Sequence, residues 1–294
     1  MEIIAEVGST WVRRRPNEAK AAVKKSIEVA ARCGATIVKF QLFTADTLYS
    51  KERAPEQWQI TKDNELPLEW LPMIREEANL RKVKLWASVF NKDLATEAAP
   101  FLDGIKIASG DVTNLSLIRY AVRVADQFGI DFGLSTGAAE ADEIISAIQN
   151  VFVINKDPVI FHCVSAYPAK AEWLNLAVGR GIRDVKYGIR LGLSDHTLSN
   201  IPAMIAVGMG YTVFEKHFML SGTPHSCGDR VVSLYPDRFQ KYVNSIRKAE
   251  KIVGSETRKV HPNEMNERVW ARRGSDGLRP ANNAQGTQGI SKGF

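Results

Sequence analysis

The sequence predicts a single (β/α)8 TIM barrel, and two observations support this fold class. Short apolar, β-branched runs alternate with helical patterns over about 250 residues, and parallel neighbouring strands need such crossovers. Eight strand–helix units in this length match the usual size of the fold. A doubly wound open sheet is the structural alternative, but no G-x-G-x-x-G motif follows the first predicted strand.

The predicted strands are short runs rich in apolar and β-branched residues. In chain order they are EIIAEV (2–7), TIVKFQ (36–41), KLWASVF (84–90), GIKIAS (104–109), DFGLST (131–136), PVIFHCV (158–164), IRLGLSD (189–195) and TVFEKHF (212–218). Helical spacing is clearest in residues 16–33 and 236–253. The apolar positions are Ala19, Val23, Ile27 and Ala30 in the first helix, which stops at Gly34, and Phe239, Tyr242, Val243, Ile246, Ala249 and Ile252 in the second, which stops at Gly254.

Two segments fall outside this alternation. Residues 42–67 contain YSKERAPEQW and are predicted to form a loop with little regular structure over the mouth of the barrel. Beyond residue 254 the periodicity fades, although HPNEMNERVWARRG favours a short helix, and the end of the chain is rich in Gly, Asn and Gln. The predicted domains are a catalytic barrel at 1–255, a linker-like extension at 256–278 and a flexible tail at 279–294.

The amino-acid composition and the charge distribution limit the functions that the protein can have. The net charge of +6 and the pI near 9.2 fit an anionic ligand, but Lys and Arg are mixed with Asp and Glu on the predicted helices, which argues against nucleic-acid binding. Cys33, Cys163 and Cys227 are far apart, so a disulfide framework is not expected. Because neither a signal peptide nor an apolar run of about 18 residues is found, we expect a cytoplasmic protein that does not span a membrane.

Polar residues stand where most predicted strands end, which is where barrels of this type place their catalytic groups. Alternate residues of a strand share a face, so Lys39 should point with Gln41, and Glu215 with His217. A charged side chain inside a barrel is unfavourable unless it is paired or liganded. The converging ring therefore predicts an active site. Its members are Glu6, Lys39, Gln41, Ser88, Asn91, Lys106, Ser109, Asp111, Ser135, Thr136, Ser165, Ser194, Asp195, His196, Glu215 and His217.

Two ligand types fit this ring. His196 and His217 end adjacent predicted strands beside the carboxylates Asp195, Glu215 and Asp229, which suits a divalent metal, although a core histidine is usually only a hydrogen-bonding group. Lysines and serines suit a phosphate group, as do the strand-to-helix turns SG (109–110) and STG (135–137).

A nucleophilic pair of His162 and Cys163 is a weaker hypothesis. Neighbouring strand residues point to opposite faces, so Cys163 is expected to be a buried structural thiol.

Five motifs in succession, KIASGDVTN, LSTG, HCVSAYP, LSDHT and EKHF, resemble the N-acetylneuraminate (sialic acid) synthase family over roughly residues 3–275. That family includes the legionaminate and pseudaminate synthases. The resemblance implies a TIM-barrel enzyme that adds phosphoenolpyruvate (PEP) to the open-chain aldehyde of an N-acetylated sugar. The products would be a nonulosonic acid and phosphate, and the cofactor a divalent metal, Mn²⁺ or Mg²⁺. A homodimer is left open.

The same resemblance implies roles for individual residues. His196 and His217 match metal ligands, and Ser88 and Ser165 stand where the family has Thr and has Asn or Ser. The predicted catalytic residues are Glu215, Asp111, Asp229 and Lys39, and the predicted substrate-binding residues are Lys39, Gln41, Ser88, Lys106, Ser109, Ser135, Ser165, Tyr167, Ser194, Arg13, Arg14 and Arg15.

The first loop departs from the family pattern. Residues 10–13, TWVR, stand where an Asn-His-(Asn/Glu)-Gly stretch is usual, and the antifreeze-like C-terminal domain, which contributes an arginine to a partner subunit's site, is expected to be absent. We therefore predict that Arg13, Arg14 or Arg15, with Trp11 as an apolar wall, recognises an acidic or phosphorylated acceptor sugar. A solvated surface loop is the alternative.

Two other functions stay open. A Schiff-base aldolase would use Lys39 or Lys106, but it needs a desolvated lysine, and serines with a bound anion would keep either one charged. A non-catalytic barrel that binds PEP or a sugar phosphate, or acts as an assembly partner, would account for the altered loop and the expected loss of a domain.

Overall fold

Eight parallel strands close into a barrel in the computed structural model, which describes residues 1–13, 15–155, 157–225 and 227–281. Each strand pairs with the next in the chain, and the last pairs with the first. The predicted fold class is confirmed, and all eight predicted strands are found. They are β1 (Glu2–Glu6), β2 (Ile37–Leu42), β3 (Lys84–Val89), β4 (Gly104–Ile107), β5 (Asp131–Ser135), β6 (Val159–Cys163), β7 (Arg190–Ser194) and β8 (Val213–His217).

Helices and short 3-10 turns connect the strands. The helices are α1 (Pro16–Arg32), α2 (Ala45–Leu48), α3 (Pro55–Asp63), α4 (Leu71–Arg81), α5 (Lys92–Ala98), α6 (Leu115–Phe128), α7 (Ala141–Phe152), α8 (Val178–Val185), α9 (Ile201–Gly208), α10 (Pro236–Val253) and α11 (Met265–Ala271). The 3-10 turns are Leu68–Trp70, Ala99–Phe101, Ser109–Asp111, Ala171–Trp173, Gly228–Val231 and Pro262–Glu264. In the described part of the chain, no helix combines the length and the hydropathy needed to cross a membrane.

An apolar plug fills the N-terminal half of the barrel interior. Trp86 fits there because Gly104 on the next strand has no side chain: a Cβ on Gly104 would lie 2.3 Å from the Trp86 ring. The plug leaves room for polar side chains only toward the carboxyl ends of the strands, where such barrels carry their sites. Its members are Ile4, Ile37, Trp86, Val159, Phe161 and Val213.

The two helices predicted from apolar spacing are confirmed as α1 and α10. Their apolar positions are buried against the barrel, except that Ile252, in the last turn of α10, is 70% exposed. Gly34 adopts φ +94° just beyond α1, the left-handed conformation that ends many helices.

The prediction of an irregular connection at 42–67 is wrong, because α2 and α3 lie within it. α3 buries only Thr61 and therefore lacks the apolar stripe from which a helix is recognised in sequence. Polar contacts hold the segment instead: Trp58 Nε1 donates to Asp46 Oδ1 at 3.0 Å, and the Ala45 N–H donates to Glu65 Oε1 at 2.7 Å.

The chain divides into two compact units, Met1–Val253 and Gly254–Phe294. In the second unit, α11 confirms the short helix expected in HPNEMNERVWARRG, and an ion pair joins Arg258 to Glu264 at 3.0 Å. Most of the predicted flexible tail, residues 282–294, lies outside the described residues, and the boundaries at 255 and 278 stay predictions.

Candidate active site

One inward-facing residue from every strand forms a polar layer directly above the apolar plug. On each strand, this residue stands two positions after the residue at the level of the plug, as Glu6 follows Ile4 and Glu215 follows Val213. The two point to the same side because strand side chains alternate with a period of two. All eight are buried and line one inner cavity of about 70 Å³. They are Glu6, Lys39, Ser88, Lys106, Ser135, Cys163, Ser194 and Glu215.

Lys39 stands at the centre of a buried charge network. Its Nζ lies 2.5 Å from Glu6 Oε2 and 3.5 Å from Glu215 Oε2, and it donates a hydrogen bond to Ser88 Oγ at 2.9 Å. The other oxygen of Glu6, Oε1, accepts a hydrogen bond from Gln41 Nε2 at 2.8 Å.

Lys106 completes the network from the opposite side. Its Nζ lies 2.6 Å from Glu215 Oε1 and 4.4 Å from the centroid of the Phe161 ring, and Ser194 Oγ donates to the same glutamate oxygen at 3.0 Å. Both lysines therefore contact the Glu215 carboxylate and hold it in place inside the barrel.

Burial and charge act differently on the four charged groups. Burial raises the pKa of Glu6 to about 7, although Lys39 opposes the rise and Glu215 and Asp229 add to it. Burial would also raise the pKa of Glu215, but Lys106 and Lys39 outweigh it and leave that pKa well below its usual value. The pKa of Lys39 is raised because its two glutamates outweigh burial, whereas burial prevails at Lys106 and lowers its pKa. Glu6 is therefore the carboxyl group suited to exchange a proton near neutral pH.

The two histidines predicted as metal ligands face each other at the mouth of the inner cavity, with 5.5 Å between ring centroids. His196 Nδ1 donates to the carbonyl oxygen of Val164 at 2.9 Å, so Nε2 is the ring nitrogen that could bind an ion. Burial lowers the pKa of His217 and favours its neutral form. The Tyr167 ring covers His196 at a centroid distance of 4.3 Å.

These features fit a two-histidine metal site. His217 Nδ1 is buried without a hydrogen-bond partner among the described residues, and neutral imidazoles are good ligands for divalent ions. The described residues include no group of three or more His, Cys, Asp or Glu side chains arranged to hold an ion. His196 and His217 are therefore the side chains that would hold the ion.

A tight turn after β5 brings two serine hydroxyls together. A Cβ on Gly137 would lie 2.3 Å from Ser165 Oγ and 2.8 Å from Ser109 Oγ, and the Gly137 N–H donates to Ser109 Oγ at 3.1 Å. Cys163 Sγ would be 3.2 Å from the same position. Because Gly137 has no side chain, the Ser109 and Ser165 hydroxyls can approach each other at this strand-to-helix turn.

A larger outer cavity of about 660 Å³ opens above the inner one, and the two share lining residues such as Gln41, Ser109, Tyr167 and His217. Its lining carries the carboxylates of Glu143 and Asp229 and, among the described residues, neither Lys nor Arg.

The loop between β1 and α1 holds one of these two carboxylates in place. Asp229 Oδ2 accepts hydrogen bonds from the Ser9 N–H and from Ser9 Oγ, both at 3.0 Å. A Cβ on Gly8, which adopts φ +50°, would lie 2.3 Å from that oxygen, so the close approach requires glycine.

Most residues predicted for the site are brought together by the fold. Asp111 lies apart in a 3-10 turn, where its Oδ1 accepts a hydrogen bond from Asn114 Nδ2 at 3.2 Å and burial raises its pKa. Asp195 points out of the barrel toward Lys216 rather than toward the histidines. The predicted residues that line the two cavities are Lys39, Gln41, Ser88, Lys106, Ser109, Ser135, Ser165, Tyr167, Ser194, His196, Glu215, His217 and Asp229.

Sequence reasoning placed Glu6 in the polar ring without a separate catalytic or binding role, and it did not include Ser9 or Glu143. It treated Cys163 as structural, although its thiol lines the inner cavity. The period-two alternation from Phe161 was the available signal for Cys163. Ser9 lies in the loop after β1 and Glu143 in the first turn of α7, where strand alternation does not apply.

The arginines of the first loop have local partners. Arg13 Nη1 donates to the carbonyl oxygens of Thr10 and Val12 at 2.9 and 2.7 Å. Arg15 is 80% exposed and pairs with Glu18 at 2.5 Å, and Arg14 lies outside the described residues.

Trp11, predicted as an apolar wall of the acceptor site, requires a correction. It is only 4% exposed, and its ring packs edge-on against Trp70 at 5.6 Å in the layer between barrel and helices. An apolar ring of this size is more stable in that packed layer than at a wet cavity.

Comparison with known proteins gives consistent matches. A family model described as the NeuB family matches residues 26–258. The N,N'-diacetyllegionaminic acid synthase of Legionella pneumophila is 31% identical over 272 residues, covering 85% of this chain and 74% of the relative. The pseudaminic acid synthase of Helicobacter pylori is 28% identical over 265 residues, covering 83% and 74%. The crystal structure of an N-acetylneuraminic acid (sialic acid) synthetase from Leptospira borgpetersenii superposes with a TM-score of 0.77 at 26% identity, covering 90% of this chain and 89% of that one.

Proposed function

Because the chain belongs to the NeuB family, we propose that its barrel joins PEP to the open-chain aldehyde of an N-acetylated sugar and forms a nonulosonic acid and phosphate. The predicted enzyme class, a sugar-acid synthase, is confirmed by relatives named as synthases of such acids. The observation that carries the finer proposal is the polar layer, in which two lysines and four serine or thiol side chains converge on one inner cavity.

The inner cavity suits a small dianion or trianion such as PEP. Lys39 and Lys106 supply positive charge, and the hydroxyls of Ser88, Ser135 and Ser194 supply hydrogen bonds, all in a buried setting that strengthens charge interactions. Because the outer cavity shares lining residues with the inner one, the acceptor sugar would approach PEP from above.

The proposed reaction is balanced by groups of this chain. Protonated Glu6 would give its proton to the carbonyl oxygen as the bond between PEP C3 and the aldehyde carbon forms, and positive charge develops at PEP C2. Glu215, held ionised by the two lysines, would stabilise that charge. Glu6, now ionised, would accept the proton released when water adds at C2. The bond from C2 to the phosphate oxygen then breaks, the proton of the new C2 hydroxyl leaves with inorganic phosphate, and a ketone remains at C2.

We further propose that His196 and His217 hold a divalent ion, Mn²⁺ or Mg²⁺, at the junction of the two cavities. When bound, the ion would polarise the aldehyde oxygen as a Lewis acid or orient a water molecule. The hydrogen bond from His196 Nδ1 to Val164 holds one ring in place, and the Tyr167 ring covers its face.

The charges of the outer cavity favour an uncharged acceptor. Glu143 and Asp229 would repel a phosphorylated or acidic sugar, whereas their oxygens can accept hydrogen bonds from sugar hydroxyls. The competing proposal, recognition of an acidic acceptor by Arg13, Arg14 or Arg15, predicts the opposite selectivity.

One observation favours a second candidate, the Schiff-base aldolase: burial lowers the pKa of Lys106. Its Nζ is nevertheless 2.6 Å from Glu215 Oε1, which favours the charged form that cannot attack a carbonyl. Borohydride trapping of a carbonyl substrate on Lys106 would support the aldolase.

The proposal is tested by phosphate release from PEP with Mn²⁺ and a panel of N-acetylated hexosamines and their phosphates. We expect release with at least one unphosphorylated sugar and little with its phosphate. Release only with phosphorylated sugars would support the arginine proposal. PEP binding without phosphate release from any sugar would overturn the enzymatic proposal and support a binding barrel.

A further inference from the structure

A second buried charge cluster lies on the outer face of the barrel, at the same two strand ends that carry the histidines. Lys216 Nζ lies 3.2 Å from Asp195 Oδ2, a contact between charges, and both side chains are 0% exposed. Lys216 also donates to the carbonyl oxygen of Thr197, and Asp195 Oδ1 accepts from the Thr197 N–H at 2.8 Å. Tyr242 of α10 covers the cluster, with its ring centroid 5.2 Å from Lys216 Nζ.

The position of this pair in the chain links it to the site. Asp195 stands between Ser194 and His196, and Lys216 stands between Glu215 and His217. Because successive side chains point to opposite faces, each outward charge has an inward site residue on both sides. The backbone joins the same strands at this level, where the Asp195 N–H donates to the Glu215 carbonyl oxygen at 3.0 Å.

Stability alone does not account for such a pair. Removing two charges from water is unfavourable, and well-packed apolar residues of similar volume usually serve as well or better. The surrounding layer between barrel and helices is otherwise apolar, as Phe214, Phe218 and Phe239 illustrate. A directional contact does provide one thing that apolar packing does not, a defined relative position of the two strand ends.

We propose that the Lys216–Asp195 ion pair is a positioning device that sets the relative placement of His196 and His217, and with them Ser194 and Glu215. The two residues touch neither cavity, so they act through their chain neighbours. The inference rests on the proposed function only for the identity of the ion that the histidines would hold.

The test uses the full-length double variant Lys216→Met/Asp195→Asn, which removes both charges and keeps side-chain volume. Its matched control is Arg75→Met/Asp103→Asn, which removes an ion pair with a 2.6 Å contact located before the N-terminal end of β4. Mn²⁺ binding is measured by calorimetry, imidazole nitrogen signals by NMR, and Tm by calorimetric scanning. We expect the double variant to bind Mn²⁺ about tenfold or more weakly and to shift the His196 and His217 signals. The control should show neither change, whatever its effect on Tm.

The Mn²⁺ affinity and the imidazole signals of the double variant decide whether the ion pair positions the histidines. Parental Mn²⁺ affinity and parental imidazole signals in the double variant would overturn the proposal. If the parent protein binds no Mn²⁺, the metal part of the proposed function fails, and the imidazole signals alone then decide the positioning role. If the double variant does not fold, Asp195→Asn is measured in its place, since an amide oxygen still accepts from the Thr197 N–H.

Discussion

At the scale of single residues, Glu6 makes the site sensitive to pH near neutrality. Burial raises its pKa to about 7 from an ordinary value of 4.5, and its Oε2 lies 2.5 Å from Lys39 Nζ. Protonated Glu6 leaves the charge of Lys39 free for an anion, whereas ionised Glu6 neutralises it. Between pH 4.5 and 7 the folded chain binds more protons here than the unfolded chain, so this group's contribution to stability falls as pH rises.

We therefore expect the dissociation constant for PEP to rise about tenfold between pH 6 and pH 8, as the fraction of protonated Glu6 falls. Titration calorimetry at several pH values measures it. Glu6→Gln should remove most of this rise, since an amide does not ionise. An equal rise in the variant would show that another group, or PEP itself, is responsible.

Gly137 leaves the space that the Ser109 and Ser165 hydroxyls occupy. Gly137→Ala should weaken PEP binding about tenfold or more, because its Cβ would displace the Ser165 and Ser109 hydroxyls that lie 2.3 and 2.8 Å away. The matched control is Gly181→Ala in α8, where a Cβ meets nothing within 4 Å. Parental PEP affinity in Gly137→Ala would place the phosphate elsewhere.

At the scale of elements, the loop between β1 and α1 positions the Asp229 carboxylate through hydrogen bonds from Ser9. Ser9→Ala removes one of its two hydrogen bonds to Asp229, so that carboxylate should become less well placed in the outer cavity. We expect the KM of the acceptor sugar to rise about tenfold, the equivalent of one hydrogen bond to a charged group, while the KM of PEP stays unchanged. Steady-state kinetics with each substrate varied in turn measures both. The control is Ser221→Ala in an exposed turn, and a rise in the KM of PEP instead would contradict this division of the site.

The helices differed in how well the sequence predicted them, because different kinds of contact stabilise them. α1 and α10 bury apolar stripes, so spacing alone revealed them. α3 buries one threonine and is held by contacts such as that of Trp58 with Asp46, twelve residues away. No periodic pattern records a contact of that kind.

At the scale of the whole molecule, the packed core and the candidate metal site are separate. Stability comes from the apolar plug and the layer between strands and helices, whereas the two histidines lie at the cavity mouth. Removing divalent ions with EDTA should therefore abolish phosphate release and change Tm by only a few degrees, and added Mn²⁺ should restore activity. Scanning calorimetry with parallel assays measures both quantities. Full activity in EDTA would contradict the metal proposal, and a collapse of Tm would make the ion structural.

The sequence by itself determined the barrel and the inward direction of Lys39, Gln41, Glu215 and His217, because strand alternation is a local property of the backbone. Only the tertiary structure decided which charges meet. The pKa of Glu6 depends on Lys39, Glu215 and Asp229, which come from three other places in the chain, and Asp195 faces Lys216 instead of the histidines. Trp11, which was predicted to form a cavity wall, is buried in the packed layer between barrel and helices. Coulomb interactions and desolvation depend on distances through space, and those exist only once the barrel has closed.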